Sequence, residues 1–180
     1  MIDDAIQNKR LHYICPVRLN RQNLYLLWNT QNEDEKDYFD GLHLDAEGRM
    51  PAFLSSDEAA LYAATKELEL LPQQIRLLNL DLVASWLKVP VIRHIKCNVF
   101  LSAWNLFGDL ESAIVQRNTD GVNKRYPRVY DMLFWGCNLP SMTPEGRHWS
   151  PPWKRKHKVE LRAALGPGLT LFRSRLKIQA

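Results

Sequence analysis

The spacing of apolar residues changes once along this chain, near residue 55, and that change constrains its fold more than any other feature. Before it, residues 11–19 and 23–29 are short runs rich in Tyr, Val, Ile, Leu and Trp, parted by Asn20-Arg21-Gln22; such a pair predicts a β-hairpin. A polar acidic loop follows to about Asp40, and residues 41–54 carry a turn at Glu47-Gly48 that closes a second predicted hairpin ending in Ala52-Phe53-Leu54. After it the period is helical. Ser55-Ser56-Asp57-Glu58 offers N-cap groups and early carboxylates, and Ala59, Leu61, Tyr62, Ala63, Leu68 and Leu71 recur at helical spacing until Pro72.

Residues 75–80 read as one more strand, Asp81 as the N-cap of a brief helix over 82–87, and Pro90 as its terminator. The most periodic segment is 95–115, where Phe100, Ala103, Trp104, Phe107, Leu110 and Ile114 make one apolar stripe. Asn98, Ser102, Asn105, Asp109 and Ser112 make a second, polar stripe almost without charge. Exposed helix faces usually carry Lys and Glu, so this stripe is expected first to lie against backbone or another polar surface of the same chain, and second to form a partner groove. A helix over 126–135 packs through Val129, Leu133 and Phe134, and 136–152 has loop chemistry. A last amphipathic helix spans 154–173 through Val159, Leu161, Ala164, Leu165, Leu169 and Phe172, interrupted at Gly166-Pro167-Gly168. The order predicts an α+β fold: N-terminal antiparallel β-hairpins followed by a mainly helical C-terminal part, in a single domain over residues 1–180.

Composition fits such a domain, with 46% hydrophobic and 24% charged residues. No apolar run approaches the ~20 residues needed to cross a bilayer, and Met1-Ile2-Asp3-Asp4 opens with carboxylates where a signal peptide carries lysines; the expectation is a cytoplasmic protein with no membrane partner. Cys15, Cys97 and Cys137 are odd in number and widely spaced, which suits neither a disulfide framework nor a paired CxxC zinc site. The net charge of +4 hides a polarity. Residues 1–80 carry eight Lys/Arg against thirteen Asp/Glu, a balance of −5, and residues 81–180 carry sixteen against seven, or +9. Such asymmetry bears on partners and association rate, not on fold.

Catalytic signatures are missing: there is no GxxxxGK[ST] loop, no HExxH helix and no GxSxG elbow. His12, His43, His94, His148 and His157 include no i, i+4 pair, so no metal site, cofactor or catalytic residue is expected and the chain is read as a non-enzyme. His12 with Lys9 imitates acid–base nuclease chemistry only loosely, and Asp81 and Asp109 have ordinary roles as cap and stripe. Lys154-Arg155-Lys156-His157-Lys158, preceded by Trp149 and Trp153, supports the alternative of a nucleic-acid-binding protein using its basic C-terminal segment. Against it stands the ordinary reading, a solvated helix face with both tryptophans at the edge of the core; nucleic acid is not the expected partner.

Four blocks together resemble a known family: 53–59 (FLSSDEA), 79–87 (NLDLVASWL), 97–109 with Ala103-Trp104-Asn105-Leu106-Phe107 at its centre, and 129–140 (VYDMLFWGCNLP). They are similar to bacterial immunity proteins of the contact-dependent growth inhibition and polymorphic-toxin systems. That resemblance implies a small cytosolic protein, encoded beside a toxin, that binds the toxin's C-terminal effector domain, often a nuclease, and covers its active site. A nuclease needs cations where it holds phosphate, and a carboxylate-rich surface competes for that place. The segment from Glu33 to Glu58, at −7, is the expected toxin-binding surface: Glu33, Asp34, Glu35, Asp37, Asp40, Asp45 and Glu47 supply charge, with Tyr38, Phe39 and His43 as anchors.

Overall fold

The computed structural model describes residues 10–30, 40–72, 76–116 and 125–179. β1 (Leu11–Leu19) and β2 (Gln22–Thr30) pair antiparallel from Leu19↔Gln22 to Leu11↔Thr30. Their two-residue turn has Asn20 at φ 53° and Arg21 at φ 65°, the doubly left-handed turn whose twist matches that of the strands. Arg is a costly residue there, and Asp81 offsets the cost: its carboxylate accepts the Asn20 amide at 2.6 Å and the Arg21 amide at 2.8 Å.

Counting back from the turn, odd-numbered residues of β1 exchange bonds with β2, so the nitrogen of Pro16 faces the other edge. That edge is paired in two pieces, β5 (Glu69–Leu70) on Leu11–His12 and β6 (Leu78–Asn79) on Val17–Arg18, both parallel. Pro16 falls in the gap between them, where no ladder bond is lost. On the other side β3 (Gly41–Leu42) pairs with β2 antiparallel. β4 (Met50–Ala52) does not close a second hairpin with β3. It pairs in parallel with β7 (Leu176–Ile178), the last strand of the chain, and Phe53 then bridges to Tyr25.

Side-chain alternation splits the hairpin between two layers. Cys15, Val17 and Leu19 with Leu24 and Leu26 face the larger core, made with α2 (Leu80–Lys88), α3 (Cys97–Val115), α4 (Pro127–Gly136) and α5 (Arg155–Arg175). Ile14, Tyr25 and Leu27 face α1 (Ser56–Thr65), whose Ala59 and Ala63 are buried against them with Phe53. In the larger core Trp86 meets Phe100 edge-on at 5.3 Å, and Trp104 meets Tyr130 at 5.6 Å.

Several boundaries depart from the sequence reading. α1 stops at Thr65, not at Pro72, because Glu67 turns left-handed at φ 55° and the chain enters β5. α2 begins two residues earlier than expected: Asn79 is its N-cap, accepting the Asp81 amide at 3.1 Å, and Asp81 is thereby released to hold the hairpin turn. α5 runs unbroken through Gly166-Pro167-Gly168. Pro167 and Ala163 both face solvent, so the bond that Pro167 cannot donate is lost on the wet side, while Gly168 lies so close to Phe107 that a Cβ there would sit 2.6 Å from its ring. Val159, expected on the buried stripe, is exposed, and His157 occupies the core instead.

Candidate functional site

Of the ten residues expected to bind toxin, Glu33, Asp34, Glu35, Asp37, Tyr38 and Phe39 lie outside the described residues. The other four are spread over two environments. Asp45 and Glu47 form a tight turn: Asp45 accepts the amides of Glu47 at 3.0 Å and Arg49 at 2.9 Å, and Lys177 Nζ at 3.1 Å. Burial would raise its carboxyl, but those donors outweigh it and hold the group down at about 2. Glu47 accepts Arg49 Nη2 at 2.7 Å and lies 3.4 Å from Lys177 Nζ. These two carboxylates therefore join β7 to the turn before β4, a role invisible without the pairing of two segments more than 120 residues apart.

His43 continues β3, donating its amide to Leu27 O at 2.8 Å. Its ring stands 5.8 Å from that of His12 and 5.8 Å from that of Tyr62, with Nε2 3.4 Å from the Tyr62 hydroxyl. Burial lowers both histidines; at His12 backbone hydrogen bonds with Arg10 and Glu69 oppose it, whereas at His43 the charges of His12 and Arg10 add to it and bring the ring to about 4, neutral at pH 7. His12 and Asn29 are direct cross-strand partners, both buried, and His12 Nδ1 and Asn29 Oδ1 have no hydrogen-bond partner among the described residues. With His43, Asp45, Arg10 and Arg175 they line a recess of about 620 Å³. The sequence reading, which left Gln22 in the turn, foretold neither the pairing of His12 with Asn29 nor the arrival of His43.

The polar stripe of α3 departs from its first expected role. Asn98, Ser102 and Asn105 are exposed rather than packed, and Ser112 alone of the five is buried. The four from Asn98 to Asp109 line an open cleft of about 730 Å³, whose other sides come from Cys15, Trp28, Leu78, Asn79 and Leu82, with Arg76 and Lys96. Asp109 accepts Trp28 Nε1 at 3.0 Å. Burial raises its carboxyl to about 6 against that hydrogen bond, and the charge of Asp40 pushes the same way. The end of the acidic segment and the α3 cleft are thus electrostatic neighbours. Asn105 accepts the Tyr130 hydroxyl at 3.1 Å, which ties the cleft wall to α4.

Lys154, Arg155 and Lys156 are exposed at the start of α5, and His157 Nδ1 accepts the Lys154 amide at 3.2 Å. Trp153 packs on the core as expected, but Trp149 does not. Burial pushes the Cys15 thiol up to about 12 and Cys97 to about 11, and raises Cys137, the opposite of what a thiolate nucleophile requires. No group of three or more His, Cys, Asp or Glu among the described residues is placed to hold a metal ion, and no helix among them is long and apolar enough to cross a membrane.

No protein-family model matches the chain, and no curated protein does. Among solved structures, the C-terminal domain of SatS, in complex with bromine, is similar at 15% identity with a TM-score of 0.48, over 93% of this chain and 94% of that one. The class that the structure itself defines is α+β, a mixed sheet that carries, among the described residues, one α-helix on one face and four on the other.

Proposed function

We propose that this chain is a toxin-neutralising binding protein of the immunity type, without turnover of its own, and that it holds the C-terminal effector domain of a cognate bacterial toxin on the α3 cleft. The observation that carries the reading is that Asn98, Ser102 and Asn105 remain exposed although they are nearly free of charge. Charged residues are depleted at the centre of protein interfaces, so an exposed helix face without Lys or Glu is cheaper to bury against a partner than an ordinary solvated one. Leu77 and Leu82 are exposed beside them, and Arg76 and Lys96 supply a charged rim. Asp109 is the polar anchor. Its carboxyl is largely desolvated, so a cation brought by the partner would be held in a low-dielectric site. The charge of Asp40 reaches that anchor, and the acidic run that precedes it in sequence would steer a basic effector domain toward it.

The test is binding of the effector domain encoded in the neighbouring reading frame, read by calorimetry and by protection of cells that express it. Nanomolar affinity, about −12 kcal/mol, is expected for the parent. Asn98→Arg with Ser102→Arg changes exposed side chains only and should weaken binding by about a hundredfold or more while the melting temperature stays put. An effector domain that is not bound sinks the immunity reading; a double variant that binds and protects like the parent sinks the α3 cleft as the interface.

A further inference from the structure

Between α4 and α5 the chain makes a built excursion from Asn138 to Trp149. Asn138, left-handed at φ 49°, clamps both ends: its Nδ2 donates to Gly136 O at 3.1 Å and to Trp149 O at 3.0 Å, and the Trp149 amide donates to its Oδ1 at 2.6 Å. Inside the clamp the amides of Met142 and Thr143 both reach Leu139 O at 2.9 Å, and Arg147 N reaches Pro144 O at 3.0 Å. The loop is compact, yet its large apolar side chains point outward: Leu139 is 41% exposed, Met142 47% and Trp149 39%, with Trp135 at the end of α4 49% exposed. Four such side chains within fifteen residues exceed the scattered apolar exposure of an ordinary surface.

The charge around them has one sign. Residues 135–158 hold Arg147, Lys154, Arg155, Lys156 and Lys158 against Glu145 alone. The cations also open α5, whose first turn holds no acidic residue, so they add to the positive end of the helix dipole where carboxylates would normally neutralise it. We propose that this loop docks on an anionic membrane surface, with Trp135, Leu139, Met142 and Trp149 entering the boundary between headgroups and acyl chains while Arg147, Lys154, Arg155 and Lys156 meet the phosphates. Single-stranded nucleic acid would use the cations and the two indoles, but Leu139 and Met142 have no ring face on which a base can stack. A bilayer interface accepts all four side chains and the cations together. Docking of this kind needs no spanning helix.

The full-length protein, sedimented with vesicles, tests it. It should bind phosphatidylcholine vesicles that contain about one-third phosphatidylglycerol and not those of phosphatidylcholine alone. Tryptophan emission should shift to the blue on binding, and the shift should shrink in Trp135→Phe and Trp149→Phe. Leu139→Glu with Met142→Glu, both at exposed positions, should lower partitioning about tenfold or more with the melting temperature unchanged. Absence of binding to the anionic vesicles overturns the proposal. So does adsorption that ignores the Glu substitutions and leaves the emission unshifted, which is charge attraction without insertion, and so does binding to a single-stranded oligouridine in place of vesicles.

Discussion

Asp81 and Asp109 carry the same functional group to opposite ends of its range of uses. Spacing makes Asp81 a helix cap, but its two oxygens hold the amides of a turn some 60 residues away. Asp109 belongs to a polar stripe, and burial against Trp28 raises its carboxyl to about 6. A carboxyl that titrates higher in the folded than in the unfolded chain, where it lies near about 3.9, binds its proton more tightly when folded. Its contribution to stability therefore falls as pH rises through that window. His43 has the reverse sense: lowered by burial to about 4, it takes up a proton more readily unfolded, so stability present above about 6.5 is lost as pH falls. The two slopes oppose each other between about pH 4 and 6. Asp109→Asn removes one of them, so the variant should be more stable than the parent near neutral pH by on the order of 1 kcal/mol and lose stability more steeply on acidification. Thermal melts across that range read both effects, and superimposable curves would show that Asp109 is not desolvated. Trp104, which the apolar stripe placed in the core, is buried there against Tyr130. Trp104→Ala should cost ~3–5 kcal/mol in a urea titration, whereas Trp104→Phe, which also removes the partnerless indole N–H, should cost less than about 1.5 kcal/mol.

Among the elements, those whose apolar pattern is long and regular were legible: the hairpin, α3 and α4 follow their sequence boundaries within two residues. The short strands were not. β4 and β7 are three residues each and take each other as ladder partner, through Met50↔Leu176, Pro51↔Lys177 and Ala52↔Ile178, with the Gln179 amide donating to Ala52 O at 2.8 Å. A three-residue strand leaves too little alternation to reveal its partner. Deleting residues 176–180 should therefore destabilise the chain by on the order of 2–4 kcal/mol, because it strands the buried backbone of β4. Lys177→Met, which keeps the strand and breaks the ion pairs with Asp45 and Glu47, should cost less than about 1 kcal/mol. Equal losses in the two variants would place the stabilisation in the ion pairs and not in the ladder. Continuity of α5 through Pro167 follows the same logic: local rules predict a break, and the packing of Gly168 on Phe107 overrides them.

For the whole molecule, the polarity of charge read from the sequence meets a structure in which part of the acidic run is already spent inside the fold, at Asp45 and Glu47. The part of the run proposed to steer a partner comprises Asp34, Glu35, Asp37 and Asp40. Reversing Asp34, Glu35, Asp37 and Asp40 together should slow association with a basic effector domain about tenfold or more at low salt, with a smaller effect at high salt, and leave the dissociation rate nearly unchanged. Stopped-flow mixing at two ionic strengths measures this. A fourfold variant that associates like the parent would remove the acidic segment from any part in steering.

By itself the sequence determined the α+β class, the presence of the N-terminal hairpin and the burial of the α3 apolar stripe, because each depends on side-chain periodicity within one continuous segment. Tertiary structure alone decided which polar groups are used up and which stay open. Asp45 found Lys177, Asp81 found the hairpin turn and His43 found His12, each across at least thirty residues. Asn98 and Ser102 stay exposed and line a cleft together with Asn105, whose Oδ1 accepts the Tyr130 hydroxyl. The physical reason is range: hydrophobic period is a local property of the chain, whereas the satisfaction of a hydrogen bond or charge depends on which distant segment the core brings to it.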